Sequence, residues 1–185
     1  MELQEAILKR RSVRKFTEEA VTDDQLRRIF EAVRWSPSWA NTQTWEFIVV
    51  RDRALIEKIA DTYSEKNPAR KGSLAASALI VACAKTGVAG CYDGKPVTVI
   101  PNWELFDLGI AVQTLCLKAH ELGLGTVIVG LMDHKTCEKI LGIPEGHQVI
   151  AVIPIGYPAA PPKDGPPRKP LSEMVFLNSL GQPMF

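Results

Sequence analysis

Hydrophobic and polar positions recur along this chain with two periods, and each change of period marks an element. Leu3, Ala6, Ile7 and Leu8 share one helical face over residues 2–10, which run into the basic cluster Lys9, Arg10, Arg11, Arg14 and Lys15. Thr22 with Gln25 three residues on is a capping-box pattern. Leu26, Ile29, Phe30 and Val33 then repeat at helical spacing, so a helix is predicted to end before Pro37. The small and polar stretch 36–43 (SPSWANTQ) reads as a loop feeding a strand over 45–50. A helix is predicted near 52–63, with Leu55, Ile56, Ile59, Ala60 and Tyr63 as its stripe. After a short polar piece comes a buried strand at 78–84.

Residues 87–101 hold Gly and Pro without periodicity, the mark of a surface excursion or lid. From 102 to 122 the positions Leu105, Leu108, Ile110, Ala111, Leu115, Leu117, Ala119 and Leu122 are apolar nearly all round, which predicts a central buried helix stopped by Gly123. A strand at 126–129, a short helix at 134–141 and a strand at 149–155 follow. Seven of the thirteen prolines then fall between Pro154 and Pro170, so 155–185 is expected to run extended over the surface. No internal repeat is visible. The elements imply one domain over 1–185 and an α+β (mixed α/β) class, with a single sheet of about four or five strands flanked by helices.

Composition narrows the function. A length of 185 residues with 46% hydrophobic and 23% charged positions suits one folded domain and excludes a disordered chain. A net charge of +1 gives no overall field toward nucleic acid or an anionic membrane, so an anion site must come from local clustering. Cys83, Cys91, Cys116 and Cys137 form no C-x-x-C pair, and no His stands at metal-ligand spacing. The expectation is no metal and no disulfide framework, with small buried thiols in a reducing cytosol. No signal-like stretch opens the chain and no 18-residue apolar run occurs, so a cytoplasmic protein that crosses no membrane is expected.

Three segments carry candidate chemistry. In RRSVRKF, Arg10, Arg11, Ser12 and Arg14 offer the charge and donors that a phosphate monoester needs, and alternation in an irregular segment puts Arg10, Ser12 and Arg14 on one side. The plainer reading is a solvated helix end that offsets the helix dipole. In SPSWANTQTWEF, Ser38, Asn41 and Gln43 stand between Trp39 and Trp45, which suits a planar ligand with polar edges; core packing or a dimer interface accounts for the tryptophans equally well. In PPRKPL, Arg168 and Lys169 are placed to close over a phosphate or simply to solubilise a tail.

Together, the N-terminal R-x-S-x-R-x-F, the S-P-S-x-x-N-x-Q-x-W loop, the helix ending in LGLGT before a strand and Gly130, the I-x-G-Y-P strand end and the terminal R-K-P-L resemble the nitroreductase family of flavoproteins. That resemblance implies an intertwined homodimer with FMN at each of two interface sites and NADH or NADPH as electron donor. By matching position, Arg10, Arg11, Ser12 and Arg14 would hold the phosphate, ribityl chain and pyrimidine edge. Pro37, Ser38 and Asn41 would come from the partner subunit. The backbone at Val129 and Gly130 would reach the flavin near N5, Arg168 and Lys169 would bind the phosphate, and Lys71 would contact the ribityl or pyrimidine part. Thr44 and Val129 depart from the family's usual Pro and Glu, and 87–101 replaces a longer helical insertion that shapes the substrate pocket in larger members.

The implied activity is ping-pong transfer of reducing equivalents from NAD(P)H to an electron-poor acceptor of nitroaromatic or quinone type, with the flavin and no side chain as the catalytic group. A flavin-binding sensor or carrier would share these residues with its open face blocked. Other classes find little support. The Gly-rich run at 123–130 follows a helix and lacks the third Gly of a dinucleotide fingerprint. His120, His134 and His147 have no nucleophile-elbow partner and read as structural. A nucleic-acid module is disfavoured by the balanced charge.

Overall fold

The computed structural model describes residues 1–161 and 163–185; Pro162, one of the prolines in the C-terminal run, lies outside them. In chain order the elements are α1 (Leu3–Lys9), α2 (Asp23–Val33), a 3-10 turn (Trp39–Asn41), β1 (Trp45–Val50), α3 (Arg53–Asp61), α4 (Arg70–Ala75), β2 (Ala78–Lys85), β3 (Cys91–Tyr92), β4 (Lys95–Pro96), α5 (Trp103–Glu121), β5 (Gly125–Thr126), α6 (His134–Leu141), β6 (His147–Gly156) and a second 3-10 turn (Leu171–Glu173). The four-stranded sheet has the order β1-β2-β6-β5, antiparallel throughout, and β3 and β4 form a separate hairpin.

The sheet is covered on both faces, so β2 is buried from Ala78 to Ala84. Its period of two sends Ala78, Ile80 and Ala82 toward Ile29 of α2 and Leu108 and Leu115 of α5. Leu79, Val81 and Cys83 pack on the other side with Ile56 and Ile59 of α3 and Cys137 of α6. A bulge displaces the β2–β6 register between Ala82 and Cys83, which is why Val149 and Val152 reach the same face at an odd spacing. The capping box predicted for α2 is present: Gln25 N–H donates to Thr22 Oγ1 at 3.2 Å and Thr22 N–H to Gln25 Oε1 at 3.0 Å.

Three expectations need correction. The strand predicted at 126–129 is paired only at Gly125–Thr126 and again at Val129, which bridges Val152. The register is continuous, and it sets Val127 opposite Pro154. Proline has no N–H to donate, so the ladder opens there. Second, the polar piece after α3 contains α4, whose Ala69 cap has no side-chain bond and whose six residues carry too little pattern to be predicted. Ser73 of α4 donates to the Tyr63 hydroxyl, 3.3 Å away, and burial pushes that phenol up to about 12. Third, the first turns of α5 are inverted: Glu104 and Asp107 are buried while Leu105 and Phe106 are exposed.

Residues 87–101 are an excursion tipped by the β3–β4 hairpin, anchored where buried Gly90 meets the Trp103 ring. Gly90 has φ +74°, and a Cβ there would lie 2.5 Å from Trp103 Cδ1, so only glycine fits. The C-terminal arm leaves β6 alongside the N-terminal segment. Thr17 N–H donates to Tyr157 O at 2.9 Å and Ala159 N–H to Lys15 O at 3.0 Å, which sets residues 15–17 beside 157–159.

Candidate functional site

The segment after α1 is threaded between β5 and α4, and close contacts hold it there. Val13 N–H donates to Thr126 O at 2.9 Å and Ser12 pairs with Thr126 in parallel register. A Cβ on Gly125 would stand 2.7 Å from the Val13 side chain, and one on Gly72 would stand 2.4 Å from Arg14 O. Both positions require glycine for the backbones to approach.

The segment walls a cavity of about 560 Å³. Arg10, Arg11, Ser12, Arg14 and Lys15 line one side, and Lys163, Asp164, Gly165 and Arg168 of the arm line the other. Six cationic side chains thus face one carboxylate, the charge balance of an anion site. Arg11 is partly engaged elsewhere: its Nη1 donates to Leu8 O at 2.5 Å and Arg10 O at 2.9 Å, closing the end of α1, and its buried Nε has no partner among the described residues. Lys169 does not line the cavity; its Nζ lies 3.8 Å from Glu173 Oε2. Lys163 does, and sequence reasoning missed it because a lone Lys in a Pro-rich run carries no signal.

A second cavity, of about 290 Å³, shares Arg14 with the first. Its other walls are Asn67, Pro68, Ala69 and the strap 127–131, which includes Val129 and Gly130. The strap is tied down at most of its length. Val129 exchanges both backbone hydrogen bonds with Val152 at 2.9 Å, Met132 N–H donates to Gly130 O at 3.1 Å, and Asn67 Nδ2 donates to Leu131 O at 3.0 Å. Among the described residues the Gly130 N–H meets no acceptor. Because Val129 O is bonded to β6 and the peptide is trans, that N–H points away from the sheet. Lys71 is exposed and lines neither cavity, though it adjoins Gly72, which backs Arg14.

The 36–43 loop is built differently. Ala40, Asn41 and Gln43 all have positive φ (45°, 56° and 48°), a cluster of left-handed non-glycine residues. Buried Asp107 holds the loop from below, accepting the Trp39 N–H at 3.1 and 3.0 Å from its two oxygens. Burial raises the Asp107 carboxyl above its usual range, and the Trp39 bond pulls it partly back. Gln43 N–H donates to Ser38 Oγ at 2.9 Å and Gln43 Nε2 to Asn41 Oδ1 at 3.0 Å; the Trp39 ring packs on Tyr92 at 5.1 Å. Pro37 and Asn41 are exposed, and neither they nor Ser38 line the two arginine cavities of the same chain.

The remaining titratable groups have other surroundings. Burial pushes the thiols of Cys83 and Cys137 up to about 12 and about 11 and raises that of Cys116, and all four cysteines are free. His120 is lowered by burial and by Arg10. Among the described residues there is no cluster able to hold a metal, and no helix long and apolar enough to cross a membrane.

Comparison with known proteins shows what the chain is similar to. The profile of the nitroreductase family matches residues 7–157. A protein of Methanothermobacter thermautotrophicus, named as a candidate NADH dehydrogenase/NAD(P)H nitroreductase, is 33% identical over 166 residues, 88% of this chain and 80% of its own. The crystal structure of a nitroreductase family protein from Clostridium novyi NT superposes with a TM-score of 0.77 at 30% identity, covering 100% of this chain and 97% of that one. An FMN-dependent nitroreductase from Clostridium difficile R20291 gives a TM-score of 0.78 at 26% identity, over 96% and 99% of the two chains.

Proposed function

The chain belongs to the nitroreductase family, and from that premise and the geometry of the two cavities we propose that it is an FMN-dependent NAD(P)H oxidoreductase acting as a homodimer. The observation that carries the proposal is the convergence of the segment after α1 and the C-terminal arm on one cationic cavity, joined through Arg14 to a second cavity walled by the strap. A phosphate fits the first, where Arg10, Arg11, Ser12, Arg14, Lys163 and Arg168 supply charge and donors, while Lys169 stands outside its lining beside Glu173. A flat ring with polar edges fits the second, where Arg14 and the unsatisfied Gly130 N–H are the polar contacts beside apolar Val127, Ile128 and Val129. Lys71 lines neither cavity, and its contact with the ribityl or pyrimidine part rests on the family resemblance alone.

When bound, FMN supplies the acceptance of hydride and the onward delivery of electrons. The protein's own residues bind, orient and tune. Arg14 places positive charge beside the ring and so favours reduction. No side chain acts as acid or base, and the open face receives NADH or NADPH and then an electron-poor nitroaromatic or quinone in turn, a ping-pong order.

The second subunit supplies Pro37, Ser38 and Asn41. In support, the surface carries exposed apolar residues, among them Trp35 at 81% and Phe106 at 63%, the latter adjacent to buried Asp107 in α5. The free thiols suit a reducing cytoplasm.

The purified protein should be yellow, with an oxidised-flavin spectrum that NADH or NADPH bleaches without oxygen. Initial rates with a quinone should give parallel double-reciprocal lines. A colourless protein that takes up no added FMN overturns the reading; bound flavin that neither nucleotide reduces favours a sensor or carrier. Sedimentation of a monomer that retains stoichiometric FMN overturns the shared site.

A further inference from the structure

His134 opens α6 with both ring nitrogens against carbonyl oxygens: Nδ1 lies 3.1 Å from Val149 O and Nε2 lies 3.0 Å from Gly130 O. A carbonyl oxygen only accepts, and a neutral imidazole has one donor and one acceptor nitrogen. With a neutral ring, one of these contacts would set a lone pair against a lone pair. The doubly protonated ring satisfies both.

The carbonyls are not equivalent in consequence. Val149 belongs to β6, the rigid centre of the sheet, whereas Gly130 belongs to the strap that walls the second cavity. The ring therefore ties the strap to the sheet just past the point where the 129–130 peptide turns its N–H away from β6. We propose that His134 is a positioning residue that fixes the Gly130 turn and with it the amide presented to the flavin ring edge. This rests on the flavin reading above.

The charged and titratable neighbours of the ring have partners of their own. On α6, Asp133 accepts bonds from Thr136 that hold its carboxylate below the usual range, Lys135 is paired with Glu138, and Cys137 is buried with a raised thiol. Glu138 Oε1 also accepts the Val149 N–H at 3.2 Å, placing its charge on the same peptide neighbourhood that His134 grips. From β6, His147 is engaged with Glu46; at the end of α3, Asp61 is paired with Arg70; the strap has no titratable group, and Arg14 lies across the cavity from it.

Two measurements test this on the full-length protein. Nitrogen-15 spectra of the flavin-free protein should show a proton on His134 Nε2, shared with Gly130 O; a ring whose only proton sits on Nδ1 overturns the proposal. At one fixed pH, His134→Ala should bind FMN about tenfold more weakly than the wild type, the order expected for one well-placed hydrogen bond, and His134→Gln, whose amide can still donate to Gly130 O, should recover part of that loss. An unchanged affinity in His134→Ala overturns the proposal. If no form binds FMN, the flavin reading fails, and the nitrogen-15 result still decides whether the ring holds the strap.

Discussion

Segment 10–16 and loop 36–43 are the two halves of the proposed site, and they are built in opposite ways. The first is locked inside its own subunit: two glycines let it press against α4 and β5, and the C-terminal arm closes over it. The second faces outward with three left-handed residues and one buried carboxylate beneath it. The first half holds its geometry within one chain, and the second stands outward, as the proposed shared site requires. This division explains why the arginine cavities are visible in a single chain while Pro37, Ser38 and Asn41 stand apart from them.

The strongest way to sharpen the contrast is Arg14→Ala. A unit charge about 4 Å from a reduced ring, at an effective dielectric near 20, is worth at most about 4 kcal/mol, so the flavin midpoint potential should fall by up to about 90 mV or FMN be lost. Spectroelectrochemistry reads this, and an unchanged potential at full occupancy removes Arg14 from the ring edge. Gly72→Ala tests how the locked half is made. Its Cβ would collide with the Arg14 carbonyl, so stability should drop by about 3 kcal/mol in denaturant titration, with FMN affinity falling alongside. An unchanged protein would mean that the segment moves freely and that the two halves are alike.

Asp107→Ala addresses the other half. It leaves the Trp39 N–H without its acceptor and should cost about 2 kcal/mol, with weaker dimerisation in sedimentation experiments. Asp107→Asn isolates the charge. A carboxyl raised by folding favours the folded state while protonated; its contribution is full below the ordinary aspartate range and is lost as pH rises through the raised value. Wild-type stability should therefore decline with pH just above that range and the Asn variant should not; parallel curves would show that the carboxyl is not perturbed. The smallest effect belongs to Lys169→Ala. Its side chain is 76% exposed and paired only with Glu173, so stability should change by less than about 0.5 kcal/mol, and FMN affinity should fall far less than in Arg168→Ala. Equal losses would return Lys169 to the phosphate.

The same contrast runs through what could be read from the sequence. α2, β2 and most of α5 were legible because local pattern and tertiary burial agree there: a capping box starts α2, and an unbroken apolar run suits a strand covered on both faces. The inverted first turns of α5 were not, because an apolar stripe does not say whether it faces the sheet or an interface with another chain. The arginines were legible as charge, but every residue from Arg10 to Lys15 lines the cavity, so the alternation expected for Arg10, Ser12 and Arg14 does not set these three apart. Arg11 was read as a ligand, yet much of its guanidinium serves the end of α1, a choice made by three-dimensional contact rather than residue type. Asn67 and Pro68 were invisible because they matter only through a strap whose course depends on pairing with β6.

That pairing turns on Pro154. To a protein engineer it looks like a flaw, an imino acid deep in a sheet, and Pro154→Val is the repair that a consensus for good strands would recommend. The repaired strand would zip with residues 126–129 into an unbroken ribbon, and thermal tolerance would rise. The backbone around Val127 and Ile128 would then be absorbed into the sheet instead of bordering open space. The gap is better understood as a trade, in which a little robustness is forgone so that one stretch of main chain stays available for recognition.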